Sequence, residues 1–168
     1  MKGGLDVAKQ SFNTDNSIEN IIDTYSNMVY RLAFSRTRNK SDADDIFQEV
    51  FLRYIKNNFT FENEEHRKAW LIRVTINCSK NLWASAWVKK TQALDENIIF
   101  ETEEGTYLHH ELMKLPIKYR TVIHLFYYED LSVEEISNIL QRKSSTIRTQ
   151  LTRARRILKE ILKEDYDV

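Results

Sequence analysis

The chain has 168 residues, 42% apolar and 30% charged, with a formal net charge of +0, a balance that suits a folded globular protein and a length that allows one domain or two small ones. With only 3 Gly and 1 Pro there are too few breakers for the tight turns of a sheet protein, so an all-α fold is expected. The single cysteine, Cys78, excludes an internal disulfide and suits a reducing cytosol. No N-terminal apolar run resembles a signal peptide and no stretch approaches the roughly 20 apolar residues of a membrane span, so a cytoplasmic protein with no membrane insertion of its own is expected.

Residues 1–16, rich in Gly, Asn, Ser and Asp, read as a loose tail. From Ile18 to Arg38, the residues Ile18, Ile21, Ile22, Tyr25, Val29, Leu32 and Ala33 recur at spacings of three and four, which predicts a helix with one apolar face. Asn39-Lys40 breaks it, and Ser41 followed by Asp44 resembles a capping box that starts a second helix. That helix should turn Ile46, Phe47, Val50, Phe51, Tyr54 and Ile55 inward and leave Asp42, Asp45, Gln48, Glu49 and Arg53 outside. After a polar connector with Phe59 and Phe61, a third helix is predicted from about His66 to Trp87, burying Trp70, Leu71, Val74, Cys78 and Leu82.

Composition then shifts: residues 91–105 are acidic, aperiodic and end in Gly, and read as an interdomain linker. A short helix near Tyr107–Lys114 and a Leu115-Pro116 break follow, with Pro at the first position of a helix running to about Tyr128. Glu129-Asp130-Leu131 is a turn, and Ser132 with Glu135 forms a capping box for a helix ending near Leu140. The turn Gln141-Arg142-Lys143 leads into a last helix from Ser144 to about Lys163. The expected architecture is two helical domains, residues 17–90 and 106–168, joined by the acidic linker.

The net charge hides a pattern. His66 to Lys90 holds six Lys/Arg, no acid and all three Trp; Thr91 to Glu111 holds six acids and no Lys/Arg; Arg142 to Lys163 holds eight Lys/Arg against one acid, Glu160. Two basic blocks around an acidic one suggest two anion-binding surfaces, although helix faces that merely segregate charge would look the same. The last two helices have the form of a helix-turn-helix: Ile136, Ile139 and Leu140 pack against Ile147, Leu151, Ala154 and Leu158, leaving Ser144, Ser145, Arg148, Thr149, Thr152 and Arg156 outward. Hydroxyls and helix N-terminal amides hold phosphates, and an arginine reads guanine, so this face suits a major groove. An ordinary solvated helix hairpin has the same periodicity.

At these residues the chain resembles a known family. The run LMKLPIKYRTVIHLFYYEDLSVEEISNILQRKSSTIRTQLTRARRIL is similar to region four of extracytoplasmic-function sigma factors of RNA polymerase, through Leu115-Pro116, Arg120, Leu125, Leu131-Ser132 before Glu135-Ile136, Thr146-Ile147, and Arg153-Ala154-Arg155 before Leu158. Two features depart from it: Gln141 stands where the family has Gly, so a non-Gly residue is expected in the left-handed region, and Arg142 and Lys143 replace an apolar and a small polar residue, which implies an unusual promoter preference. The run DADDIFQEVFLRYIKN resembles the region-two helix that docks on the polymerase clamp, and HRKAWLIRVTINCSKN the helix that reads melted promoter DNA, with Asn81 where the family commonly has Asp.

The resemblance implies roles by position. Asp45, Gln48, Glu49 and Arg53 would meet core polymerase. Phe61, Trp70, Arg73, Asn77 and Lys80 would meet single-stranded promoter DNA, although Trp70 fits a core position equally well. Lys143, Ser144, Ser145, Thr146, Arg148, Thr149, Arg153 and Arg156 would meet the distal duplex element. The implied partners are core RNA polymerase (the clamp of its largest subunit and its flap), promoter DNA, and an anti-sigma factor that is often membrane-bound and would hold the protein at the inner face of the membrane. No metal-ligand spacing, Gly-rich phosphate loop or nucleophile elbow is present, so neither a cofactor nor an enzyme is expected. The rival readings are a stand-alone helix-turn-helix regulator of duplex DNA and a helical adaptor; neither needs a basic, Trp-bearing third helix.

Overall fold

The computed structural model describes residues 17–58, 60–86 and 106–166. Phe59, Trp87, the N-terminal tail and the acidic segment 91–105 lie outside the described residues. Every element among the described residues is helical. Helix α1 (Ile18–Thr37) starts where the Ser17 hydroxyl accepts the Asn20 N–H at 3.3 Å, and it buries Ile21, Tyr25, Met28, Val29 and Leu32 along one stripe. It ends at Arg38, whose φ of 54° reverses the chain so sharply that Asn39 already caps the next helix. The Asn39 side chain accepts the Asp42 N–H at 3.0 Å and starts α2 (Lys40–Lys56), so the cap is Asn39 and not Ser41. Ala43, Ile46, Val50 and Phe51 are buried as the periodicity requires. Ile55, expected inward, is 59% exposed: it follows Gln48 by two turns and Leu52 by one, and so shares their outer face.

Helix α3 (Glu64–Ala86) buries Leu71, Ile72, Thr75, Ile76, Cys78 and Ser79, whereas Trp70, Val74 and Leu82 of the expected stripe are only half-buried. The stripe is wider than one packing partner explains because α3 meets α1 and α2 and also the later helix Val133–Leu140. Thr75 and Ser79 tolerate burial by donating their hydroxyls to the Leu71 and Ile76 carbonyls, each at 2.7 Å.

The second set comprises α4 (Thr106–Met113), α5 (Ile117–Ile123), α6 (Val133–Leu140) and α7 (Ser144–Tyr166). Pro116 stands at the N-cap of α5. The helix expected to run to Tyr128 stays α-helical only to Ile123 and widens to a π turn over His124–Tyr128, closed by Glu129 N–H on the His124 carbonyl at 3.3 Å. Asp130 then takes φ 54°, and the Ser132–Glu135 capping box is complete, with Glu135 N–H on the Ser132 hydroxyl (3.2 Å) and Ser132 N–H on the Glu135 carboxylate (2.7 Å).

The two sets meet along α1·α5 and α3·α6, and two buried arginines bind the seam. Arg120 of α5 donates Nε to the Ser35 carbonyl and Nη2 to the Arg36 carbonyl (3.4 Å), both in the last turn of α1, and Nη1 to the carbonyls of Met113 (3.2 Å), which ends α4, and Leu115 (2.6 Å), just beyond it. Helix ends leave such carbonyls without intrahelical partners, and a cation there also opposes the negative end of the helix dipole. Arg36 of α1 donates to the hydroxyls of Ser79 (2.5 Å) and Thr121 (2.7 Å) and lies over the Trp83 ring at 5.3 Å. Burial pushes both guanidinium groups down to about 10, so both remain charged at neutral pH.

A lysine at position 120 carries the charge without the planar fork that reaches four carbonyls. Arg120→Lys is therefore expected to lower stability by about 1–3 kcal/mol in urea unfolding, with helical content in the native state unchanged by circular dichroism. A loss within 0.3 kcal/mol of zero would show that the fork is dispensable.

Candidate nucleic-acid interface

The α6–α7 pair is a helix-turn-helix built without glycine. Gln141 takes φ 52° and ψ 49°, the left-handed cap expected for this position, and its N–H and that of Arg142 both reach the Ser137 carbonyl. Ser137 returns the contact, donating its hydroxyl to the Arg142 carbonyl at 2.5 Å. Ile147, Leu151 and Ala154 are buried, while Lys143, Ser145, Thr146, Arg148, Thr149, Arg153 and Arg156 are exposed and Ser144 is half-exposed. One face of α7 thus offers hydroxyls at its N-terminus and cations along its length. Arg155 is turned back: it donates to the Tyr127 hydroxyl at 2.8 Å and lies over the Phe126 and Tyr127 rings.

On α3, Asn77 and Lys80 are exposed on one face, as their spacing predicts. The other candidates on this side are engaged within the protein. Phe61 is buried, stacked on Tyr54 at 5.7 Å, and Trp70 sets its edge against both rings. Phe61 therefore backs the wall from inside, and half-buried Trp70 presents part of its surface outward. Arg73 is half-buried in a cleft of about 470 Å³ between α3 and the second set, where Glu129, Asp130 and Glu135 face it across from Lys68. Its Nε is buried without a hydrogen-bond acceptor. Lys68 donates to the Glu129 carbonyl at 2.9 Å and lies 3.7 Å from its carboxylate, whose other oxygen is 3.3 Å from His124 Nε2. Lys68 and Glu129 had no signal of their own in the sequence, since what joins them is a contact 61 residues apart.

On α2, Asp45, Gln48 and Arg53 are exposed and Glu49 is half-exposed, with Arg53 Nε donating to Glu49 at 2.6 Å. The exposed Leu52 and Ile55 lie among them. Apolar side chains interleaved with charges make a better protein-docking face than charge alone. A second apolar surface, a groove of about 610 Å³ between α4, the π turn and the end of α7, is floored by Leu108, Leu112, Ile123 and Leu158 and rimmed by Arg155 and Lys159. Among the described residues no group of three His, Cys, Asp or Glu is placed to hold a metal ion, and no helix is long and apolar enough to cross a membrane.

Two family models match separate segments of the chain. The family described as Sigma-70 region 2 matches residues 21–88, and that described as Sigma-70, region 4 matches residues 106–158. The RNA polymerase sigma factor SigV of Bacillus subtilis is 33% identical over 144 residues, covering 81% of this chain and 86% of its own. The chain belongs to the extracytoplasmic-function sigma factors of RNA polymerase. The ECF sigma factor SigW of the same organism is 29% identical over 164 residues, 86% of this chain and 88% of that one. In fold, this sigma factor is similar to the sigma factor RpoE of Bartonella quintana, solved in complex with the anti-sigma factor NepR (TM-score 0.71, 19% identity, 86% of this chain and 96% of that one). It is also similar to CnrH, solved with the cytosolic domain of CnrY (TM-score 0.62, 20% identity, 88% of each chain).

The glycine-free turn of this sigma factor carries a measurable cost, because a side chain at φ 52° crowds its own backbone. Gln141→Gly should raise stability by about 0.5–1 kcal/mol and shift the thermal midpoint up by a few degrees. A lower midpoint would mean that the Gln141 side chain supplies more than the strain removes.

Proposed function

We propose that four exposed surfaces divide the work of promoter recognition. The α2 face around Asp45, Gln48, Glu49 and Arg53 docks on the polymerase clamp, and the groove beside α7 receives the polymerase flap. Asn77 and Lys80, with the outer part of Trp70, hold the melted strand, and α7 reads the distal duplex element. The domains that carry these tasks are residues 17–90 and 106–168, with the acidic residues 91–105 as the linker. The observation that supports this most is the co-occurrence on one chain of a polar, cation-bearing helix-turn-helix face and a basic, aromatic-backed helix in the segments that match sigma regions four and two. Neither a stand-alone duplex regulator nor an adaptor has use for both. The protein works by binding alone, without an enzymatic step, in the cytoplasm.

The seam gives this reading a resting state. Lys68 and Arg73, on the strand-binding side of region two, face Glu129, Asp130 and Glu135 of the second set, so those acids stand where DNA phosphates would lie. Strand binding by that side requires the cleft to open, and core polymerase, by engaging the two sets at separate places, is the natural agent. An anti-sigma factor would hold the sets closed, in keeping with RpoE of similar fold, which was solved with the anti-sigma factor NepR. Run-off transcription with core polymerase on a library of genomic fragments tests the whole reading: discrete start sites are expected, and their absence would overturn it.

Two predictions address the faces separately. Asp45→Lys is expected to weaken the complex with core polymerase about tenfold in gel filtration or fluorescence anisotropy without changing the melting curve, because Asp45 is exposed. Asn77→Ala and Lys80→Ala are expected to slow promoter opening by roughly five- to tenfold while leaving initial binding close to wild type. Permanganate footprinting reads opening directly. A pre-melted template should rescue both variants, and an equal defect on that template would move the two residues to a structural or phosphate-binding role.

A further inference from the structure

Arg148 does not project freely from α7. Its Nη2 donates to Oε1 of Glu134 at 3.2 Å, and the other carboxylate oxygen of Glu134 accepts the Ser144 hydroxyl at 2.7 Å. Glu134 stands in the first turn of α6, so one carboxylate on the supporting helix ties down two residues of the reading helix, one turn apart. The capping of α6 does not require it, since Ser132 and Glu135 close that helix end between themselves. Stability does not require it either: the Arg148 and Glu134 side chains are 62% and 67% exposed, and ion pairs that open to water contribute little. The arrangement instead constrains direction.

We propose that Glu134 is a positioning residue for promoter discrimination, holding Arg148 and Ser144 in one orientation toward the duplex and keeping Arg148 off the phosphates. The proposal rests on the reading of α7 as the helix that meets the distal duplex element. An unrestrained arginine beside DNA finds phosphate oxygens as readily as base edges, and phosphate contacts carry no sequence information. Reading guanine takes two parallel N–H groups aimed at O6 and N7, a demand on orientation more than on charge. A carboxylate that engages one nitrogen of the guanidinium restricts the swing of the group and leaves its remaining donors to point outward. The same negative charge repels the phosphate backbone, so Glu134 lowers sequence-independent attraction at the place where Arg148 would otherwise add to it. When the duplex seats and water leaves the pair, the Glu134–Arg148 attraction strengthens.

The test uses the full chain as holoenzyme with core polymerase, on promoters with a randomised distal element, read by sequencing the transcripts. The variants are Glu134→Gln, Arg148→Ala, the double substitution and Arg156→Ala. Glu134→Gln is expected to relax preference about fivefold, the lower part of what one base-reading arginine supplies, at the same base positions that Arg148→Ala relaxes. It should also raise holoenzyme binding to duplexes lacking the preferred element, and in the double substitution it should change the ranking no further than Arg148→Ala alone. Arg156→Ala, expected to lower transcription from all sequences alike, reports whether α7 meets the duplex. If Arg156→Ala and Arg148→Ala are both without effect, the duplex reading itself fails. If those two behave as expected and Glu134→Gln scales all sequences equally, or relaxes positions that Arg148→Ala does not touch, the positioning role is overturned while the duplex reading stands.

Discussion

Arg120 carries a single charge into the seam between the two helical sets, and much of the rest of the molecule is arranged around what its guanidinium reaches. The carbonyls it binds belong to the ends of α1 and α4 and to the break after α4, places where helix geometry leaves acceptors without partners. Bringing both sets of carbonyls to one fork fixes the angle between α1 and α5, and with it the approach of α6 to α3. Arg36 then fills the space beside it on hydroxyl acceptors. These acceptors are neutral, so the charges are solvated by the protein without being cancelled.

That distinction has a functional side. Two uncancelled cations at the centre of the seam are satisfied by its carbonyls and hydroxyls in the closed form, and water would satisfy them in an open one. The acids that follow the π turn work in the same direction. Glu129 is buried between His124 and Lys68, and the widened helix at His124–Tyr128 is what swings it there: a regular α-helical turn over the same residues would advance the chain differently and direct Glu129 elsewhere. The cleft beside Lys68 and Arg73 is thus lined by residues that follow this distortion, and the distortion's own Tyr127 and Tyr128 line the apolar groove.

The helix-turn-helix shows how a missing glycine is absorbed. Gln141 takes the left-handed cap, and Ser137 compensates by binding the turn twice, through its carbonyl and its hydroxyl. The turn keeps its geometry, so α7 presents the face that its periodicity implies, while Arg142 lies close enough to Arg36 to act on its charge.

What the sequence by itself determined was each element with its inward face: the α1 stripe from Ile21 to Leu32, the Ser132–Glu135 box, the burial of Ile147, Leu151 and Ala154, and the outward placing of Asn77, Lys80 and Arg148 all follow from spacing, which is a property of one helix at a time. What only the tertiary structure decided was how those faces meet. The exposure of Ile55 and the burial of Ile72 and Ile76 depend on which neighbours cover α2 and α3. Phe61 became wall and not surface because Tyr54 stacks on it. Arg73 and Asn77 share a helix face, yet one enters a cleft and the other meets solvent because α6 covers only part of that face. Glu134 acquired a role through residues ten and fourteen positions away. Helical periodicity encodes direction around an axis, whereas burial and pairing depend on what stands opposite, and that is set by contacts between segments far apart in the chain.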